Sequence, residues 1–309
     1  MSDIDIAQRI RPKQISEIVK VAGIRSEEII PHGNHIAKVS PFLLTRLKNK
    51  PNGKIILVTC MTPTKYGEGK TSTAIGLTQA LGKLKRKAIL CLREPSLGPM
   101  FGVKGGACGG GYSQVIPMED INLHFTGDGY AVSGANNLLC AMLDNHIYFK
   151  NKLKIDPRNI LLRRTIDISD RTLRRINFKI NEKAAYHSGF DIIAASEVMA
   201  ILALSKDMTD LKKRLSQIIV AFDKKKRPIT AKKLSAVGAM SALLTNAMMP
   251  NLVQTIEGQP CFVHCGPFAN IAHGANSIIS TIMASKLANY VVTESGFGSD
   301  LGAEKFFNI

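Results

Sequence analysis

The 309 residues contain no tryptophan, and aromatic side chains make up only 6% of the chain. Platforms for base stacking are therefore scarce. The basic runs Lys83-Leu84-Lys85-Arg86-Lys87, Arg174-Arg175 and Lys224-Lys225-Lys226-Arg227 have no interleaved aromatics, and no zinc-finger or RRM pattern accompanies them. No apolar run approaches bilayer-spanning length. The opening Met1-Ser2-Asp3-Ile4-Asp5-Ile6-Ala7 is acidic and lacks the charged and apolar regions of a signal peptide. The six cysteines, Cys60, Cys91, Cys108, Cys140, Cys261 and Cys265, lie mostly in apolar or glycine-rich segments, where a reduced thiol behaves as a small hydrophobe. Neither a disulfide framework, a membrane partner nor a nucleic-acid partner is expected, and the expected compartment is the cytoplasm.

What the chain does have is core-forming material and positive charge. At 45% hydrophobic and 21% charged, it can bury a substantial core as two domains or one large one. The formal charge of +17 sits in short solvated runs, and part of it suits small polyanions, whose approach an electropositive site accelerates.

The densest chemical signal is Thr64-Lys65-Tyr66-Gly67-Glu68-Gly69-Lys70-Thr71, between the apolar run Ile55-Ile56-Leu57-Val58 and a helix-like stretch at 73–84. Strand, glycine loop and helix in that order cradle nucleotide phosphates. Gly67 and Gly69 let backbone N–H groups turn toward one anion, Lys70 supplies charge for the outer phosphates, and Thr71 or Ser72 can place a hydroxyl on Mg²⁺. Thr64 stands where the first glycine of G-x-x-x-x-G-K-[ST] belongs, so a plain strand-to-helix turn is the competing reading.

Strand 55–59, the loop, helix 73–84 and strand 88–92 read as a βαβ unit. Apolar runs without alternation belong to sheets covered on both faces, so an α/β fold with a mainly parallel sheet and helices on both faces is expected. Seven glycines within 98–111 predict loop there. Further on, the pattern predicts a strand at 190–195, helices at 197–204 and 211–220, a surface connection at 223–233, and strands 261–264 and 290–293 around a helix at 275–288.

Ligands in such sheets collect beyond the carboxyl ends of strands. Four segments fall there: 59–71, 93–99, 264–270 and 294–300. Arg93 could grip a carboxylate or acyl phosphate through its fork of donors, or simply pair with an acid such as Glu94. Cys261, His264, Cys265 and His273 are ligand types without a familiar zinc spacing. Residues 118–128 concentrate acids, an amide and a histidine near a glycine, as a cation or substrate site or as a helix cap.

Taken together, the chain resembles the formate–tetrahydrofolate ligase family. The resemblance rests on Thr62-Pro63-Thr64 with Gly67-Glu68-Gly69-Lys70-Thr71, on Arg93-Glu94-Pro95-Ser96-Leu97-Gly98-Pro99, on Gly105-Gly106-Ala107 with Gly109-Gly110-Gly111-Tyr112, and on 117–128. It continues through Asn136-Asn137-Leu138-Leu139, Leu143-Asp144-Asn145-His146, 251–255, 266–274 and Leu301-Gly302-Ala303-Glu304-Lys305-Phe306. It implies a P-loop NTPase-like nucleotide- and formate-binding domain at 1–118 and 250–309, with a second α/β domain inserted at 119–249. It further implies ATP-dependent formylation of tetrahydrofolate: formate attacks the γ-phosphate, and the folate amine then attacks formyl phosphate. The cofactors implied are ATP, Mg²⁺ on Thr71, and a monovalent cation, K⁺ or NH₄⁺, carried over to Asp128. By the same resemblance the nucleotide loop is Thr64, Lys65, Tyr66, Gly67, Glu68, Gly69, Lys70, Thr71 and Ser72. Lys70, Arg93 and Glu94 would be catalytic, with Arg93 holding formate, Glu94 on the folate side and Phe297 against the pterin.

Three departures accompany this. Lys65-Tyr66 replace the family's Pro-Ala, the segment 175–189 is shorter and poorer in glycine, and family members continue well past Ile309. The last departure and the missing tryptophan imply incomplete adenine and folate sites. The alternatives are therefore an inactive nucleotide-binding remnant or one chain of a split enzyme, and the expected partner is a further copy or a complementing C-terminal chain.

Overall fold

Alternation along the buried strands decides how this chain is layered. In a computed structural model that describes residues 1–64, 67–100, 108–182 and 184–309, six strands come first. They are β1 (Ile29–His32), β2 (Ile36–Val39), β3 (Lys54–Val58), β4 (Ala88–Leu92), β5 (Gly109–Gly110) and β6 (Ser113–Ile116). Seven more, β7 (Ile155–Ile160), β8 (Arg164–Ile166), β9 (Ile176–Asn181), β10 (Ala184–Ser188), β11 (Phe190–Ile192), β12 (Ile219–Asp223) and β13 (Pro228–Thr230), build three small sheets. The last three, β14 (Asn251–Thr255), β15 (Pro260–Val263) and β16 (Tyr290–Glu294), return to the main sheet, whose order is β1-β2-β14-β15-β4-β16-β3, with β6 beside β14 and β5 beside β6.

This sheet is mixed. Strands β15, β4, β16 and β3 run parallel, whereas β14 pairs antiparallel with β15, β2 and β6. The parallel part is the one the βαβ pattern predicts. The antiparallel part contains β14, which the apolar pattern did not single out because Asn251, Gln254 and Thr255 interrupt it.

Successive side chains of a strand point to opposite faces. Ile89, Cys91, Val291, Leu252 and Phe262 join one apolar cluster, while Leu90, Leu92, Val292, Val253, Cys261 and Val263 join another. Helix Lys70–Lys83 covers the second face through Ala74 and Ile75. Helix Ile278–Leu287 covers the first through Ile279, Met283, Ala284 and Leu287. Helices on both faces are thus observed. The 22-residue helix Asp128–Phe149 adds Val132, Ala135, Leu139, Leu143 and Ile147 at helical spacing to that first cluster, so the chain between β6 and β14 shares its core with the main sheet.

Three expectations change. The stretch 211–220 is not one helix: helix Met208–Ser216 stops, and Ile218-Ile219-Val220, three β-branched residues in a row, enter β12. The surface connection 223–233 is the arm of a hairpin, since Pro228–Thr230 pairs with β12. Its tip is closed by Asp223 Oδ1, which accepts from Lys225 N and Arg227 N at 2.8 and 2.9 Å. Within 98–111, Leu97–Met100 makes a helical turn and Gly109–Gly110 pairs with β6, while residues 101–107 lie outside the described ones. Among the described residues no helix is long and apolar enough to cross a membrane.

Because the two regions share one core, Leu139→Ala and Ile89→Ala should each cost about 2–5 kcal/mol and lower the same transition. Urea unfolding followed by two spectroscopic probes checks this. Separate transitions for the two variants would mean that the regions fold independently.

Candidate active site

Four parallel strands deliver their outgoing loops to one end of the sheet, and those loops are sewn together there. Ser295 N donates to Val58 O at 3.2 Å and Ser299 N to Cys60 O at 2.7 Å; Glu94 N donates to Cys265 O and Gly296 N to Gly274 O, both at 2.8 Å. Gly266 is required at this junction, since a Cβ there would stand 2.1 Å from Glu94 O. Cys265 and Phe297 hold left-handed backbone at φ 57 and 59, and strain of this kind persists where surrounding structure over-determines it.

The glycine loop leads into a bare helix terminus. Thr64 and Gly67 form a tight turn, with Gly67 N donates to Thr64 O at 3.3 Å. Gly67 and Gly69 take φ 89 and 65, values open to glycine at little cost. Gly69 is the N-cap of helix Lys70–Lys83 and offers no side chain to close it. The first-turn N–H groups of a helix have no intrahelical partner and favour an anion. The helix begins at Lys70 rather than Thr73, which puts Lys70, Thr71 and Ser72 in that first turn. Lys70 Nζ donates to Cys60 Sγ at 3.3 Å, and the thiol in turn donates to Phe297 O at 3.2 Å, so the base of the loop touches the 294–300 segment. Glu68 and the Phe297 ring are exposed. Lys65 and Tyr66 lie outside the described residues.

Glu294, at the end of β16, stands between the two halves of the site. Its Oε2 accepts from Thr71 Oγ1 at 2.7 Å, and its Oε1 lies 3.6 Å from Arg93 Nη2. Arg93 therefore pairs with Glu294 rather than with Glu94.

Glu94 turns the other way, its Oε2 enclosed without a partner. Burial, then the neighbouring Asp128 carboxylate, push its carboxyl well above the ordinary range, with Lys38 opposing them. Asp128 is buried at the start of its long helix, accepting from Lys38 Nζ at 2.7 Å and Asn251 Nδ2 at 2.8 Å. Lys38, only 1% exposed, also donates to Asn251 Oδ1 at 3.1 Å and Met249 O at 3.3 Å. The charged partner of Asp128 in this structure is thus the Lys38 ammonium. Behind this group, Asp167 accepts from Ser96 Oγ and, at 3.1 Å, from Leu97 N, fixing the loop after Arg93.

The histidines divide. His264 is fully satisfied: Nε2 donates to Ala247 O and Nδ1 accepts from Ser277 Oγ, both at 2.7 Å, while burial lowers its pKa to about 4. His273, also buried, has neither ring nitrogen paired. Among the described residues no group of three or more His, Cys, Asp or Glu is placed to hold a metal ion.

A family model for formate–tetrahydrofolate ligase matches residues 1–309. The chain belongs to the formate–tetrahydrofolate ligase family. The ligases of Mesorhizobium japonicum and Bartonella tribocorum are each 56% identical to it over 311 residues, and that of Roseobacter denitrificans is 54% identical over the same length. Each alignment takes in 100% of this chain and 56% of the relative, so the chain spans about half the length of the curated relatives it matches.

Within this family member, sequence reasoning located Lys70, Thr71, Arg93 and Glu94, and the structure brings them to one end of the sheet. It placed Glu294 in the strand-end segment 294–300 without giving it a role, although an acid at the end of an apolar strand is the same signal that marked Arg93. It also missed Lys38, for which a lone charge inside Ile36-Ala37-Lys38-Val39 was the available sign.

A raised Glu94 pKa has a defined consequence for stability. Above the ordinary carboxylate range the unfolded chain has released this proton while the folded one retains it, so stability falls as pH rises through that window. Glu94→Gln carries no such proton. Its urea midpoint should gain on the parent's between pH 5 and pH 8, and a constant offset would mean that Glu94 ionises as it does in water.

Proposed function

We propose that this chain carries the phosphate and formate machinery for ATP-dependent ligation of formate to tetrahydrofolate, giving 10-formyltetrahydrofolate through formyl phosphate in one-carbon metabolism in the cytoplasm. The observation that carries the reading is the bridge from Thr71 through Glu294 to Arg93, which couples a phosphate-binding helix terminus to a cationic fork across the intervening strand β16. In this reading residues 1–118 and 250–309 form a P-loop NTPase-like part, and 119–249 a second α/β part packed against it.

The first step moves a phosphoryl group, so the work is positioning and charge neutralisation. N–H groups of residues 70–72 hold the phosphates and the Lys70 ammonium leaves Cys60 for them. Arg93 orients the carboxylate in line and then stabilises the acyl phosphate through two parallel N–H donors. The Thr71 hydroxyl and Glu294 carboxylate are hard oxygens of the kind Mg²⁺ takes beside waters and phosphates, and such an ion would neutralise charge on the transferred group. For the second step Glu94, its carboxyl pushed toward the protonated form by burial, can donate a hydrogen bond on the side where the folate amine approaches, with the exposed Phe297 ring available to an aromatic substrate. Asp128 would offer its remaining carboxylate lone pairs to a monovalent cation beside Lys38 and Asn251, and no step is assigned to such an ion.

Lys70→Ala should weaken ATP binding by roughly ten- to a hundredfold, the worth of a charge-assisted hydrogen bond of ~1.5–3 kcal/mol. Calorimetric titration of the chain checks this, and unchanged affinity would remove the phosphate-loop assignment. Arg93→Lys should separate the steps, keeping ATP affinity and losing formate-dependent ADP release by about tenfold or more, because a point charge cannot reproduce a fork. Formylation assayed with and without the remaining part of a full-length relative added in trans distinguishes a complete activity from a complemented one.

A further inference from the structure

Buried polar atoms in folded chains find partners almost without exception. Among the described residues five buried side-chain polar atoms have none: Arg93 Nε, Glu94 Oε2, Gln114 Oε1 and both ring nitrogens of His273. Four of the five belong to Arg93, Glu94 and His273. Arg93 and Glu94 leave the end of β4, and His273 is brought there by its own loop. Gly274, its neighbour, accepts from Gly296 N at 2.8 Å, and a Cβ on Gly296 would stand 3.2 Å from Arg93 Nη1.

Arg93 is underbonded by the standard of this protein. Its contacts to Pro267 O and Glu294 Oε1 are 3.5 and 3.6 Å, against 2.6 Å for Arg46 with Glu28 and 2.7 Å for Arg163 with Asp191. Lys305 does not compete for a ligand there, because Nζ is committed to Ala269 O at 2.6 Å and Ala272 O at 2.7 Å, bonds that brace the loop carrying His273. A guanidinium with slack contacts thus lies close to a buried imidazole whose two ring nitrogens are unpaired.

We propose that His273 is a binding residue of the Arg93 site, donating a ring N–H to an oxygen of the small carboxylate or acyl phosphate that Arg93 holds. This deepens the proposed function and rests on it. Burial, then Arg93 and Lys305, lower the His273 pKa to about 4, so the ring is neutral at physiological pH and adds a directed hydrogen bond without a further cation. A neutral donor favours a small planar anion through geometry, where another lysine would hold any anion through charge alone. The second ring nitrogen remains an acceptor, suited to a protonated oxygen or a water at the anion's rim.

The test uses the chain labelled with ¹⁵N in its histidines. Long-range ¹H–¹⁵N spectra are recorded with ATP present during titration by formate and, separately, by inorganic phosphate, with His273→Leu identifying the resonances. Both anions should move the His273 ring nitrogens. His273→Leu should weaken formate binding by about tenfold, the upper range for one neutral hydrogen bond, while His273→Gln, which keeps a donor and an acceptor, should recover most of it. Phosphate moving the ring while formate does not would overturn the formate reading and leave His273 as an anion ligand. If neither anion moves the ring although ATP still binds, or if the Leu variant binds formate as the parent does, the assignment of His273 is wrong. A loss in Leu and Gln variants alike, with lowered urea midpoints in both, would show a packing role instead.

Discussion

A single carboxylate joins the two chemical halves of this protein. Glu294 leaves β16, the strand lying between β3 and β4, and so reaches the loops on either side of it. One oxygen takes the Thr71 hydroxyl and the other faces the Arg93 guanidinium. Parallel pairing makes this geometry possible, because only strands running the same way release neighbouring loops at the same edge. The rest of the site is arranged around that acid: the loops at 59–61 and 295–299 are bonded to each other, and the loop at 265–274 closes against Arg93 and Gly296.

Beneath it lies a second charged layer of a different character. Lys38 and Asp128 neutralise each other while buried, and Asn251 serves both. An ion pair of this kind is weak evidence for stability, yet removing one partner would leave a stranded charge. Its members come from β2, from the start of the long helix and from β14, so this one cluster ties three distant stretches of chain into register. Glu94 meets this cluster with a carboxyl whose pKa burial and the Asp128 carboxylate push well above the ordinary range, which favours the protonated form, a donor where an ionised acid could only accept.

Much of this was legible in the residues. Apolar runs at β4, β15 and β16 marked buried strands, glycines 67 and 69 marked the turn into a helix, and Arg93 stood out by following a strand directly. What was hidden depended on long-range contact. The polar strand β14 is held by its neighbours on either side, so its own composition carries no period to read. Helix Met208–Ser216 ends where three β-branched residues begin, a local cue outweighed in the reading by the continuing apolar pattern. Whether Arg93 would pair with Glu94 or with a residue two hundred positions away is decided by the strand order, and no local spacing encodes that order.

The position of β3 at the end of the sheet has a consequence for motion. Among the described strands it pairs only with β16, and Lys54 and Ile55 at its start are exposed. The segment that launches the glycine loop is therefore anchored on one side, while β4 is bonded on both. Backbone amides of β3 should belong to a cooperative unit that opens at a lower free energy than the β4 centre. That would put the least protected strand of the parallel sheet directly ahead of the uncapped start of helix Lys70–Lys83.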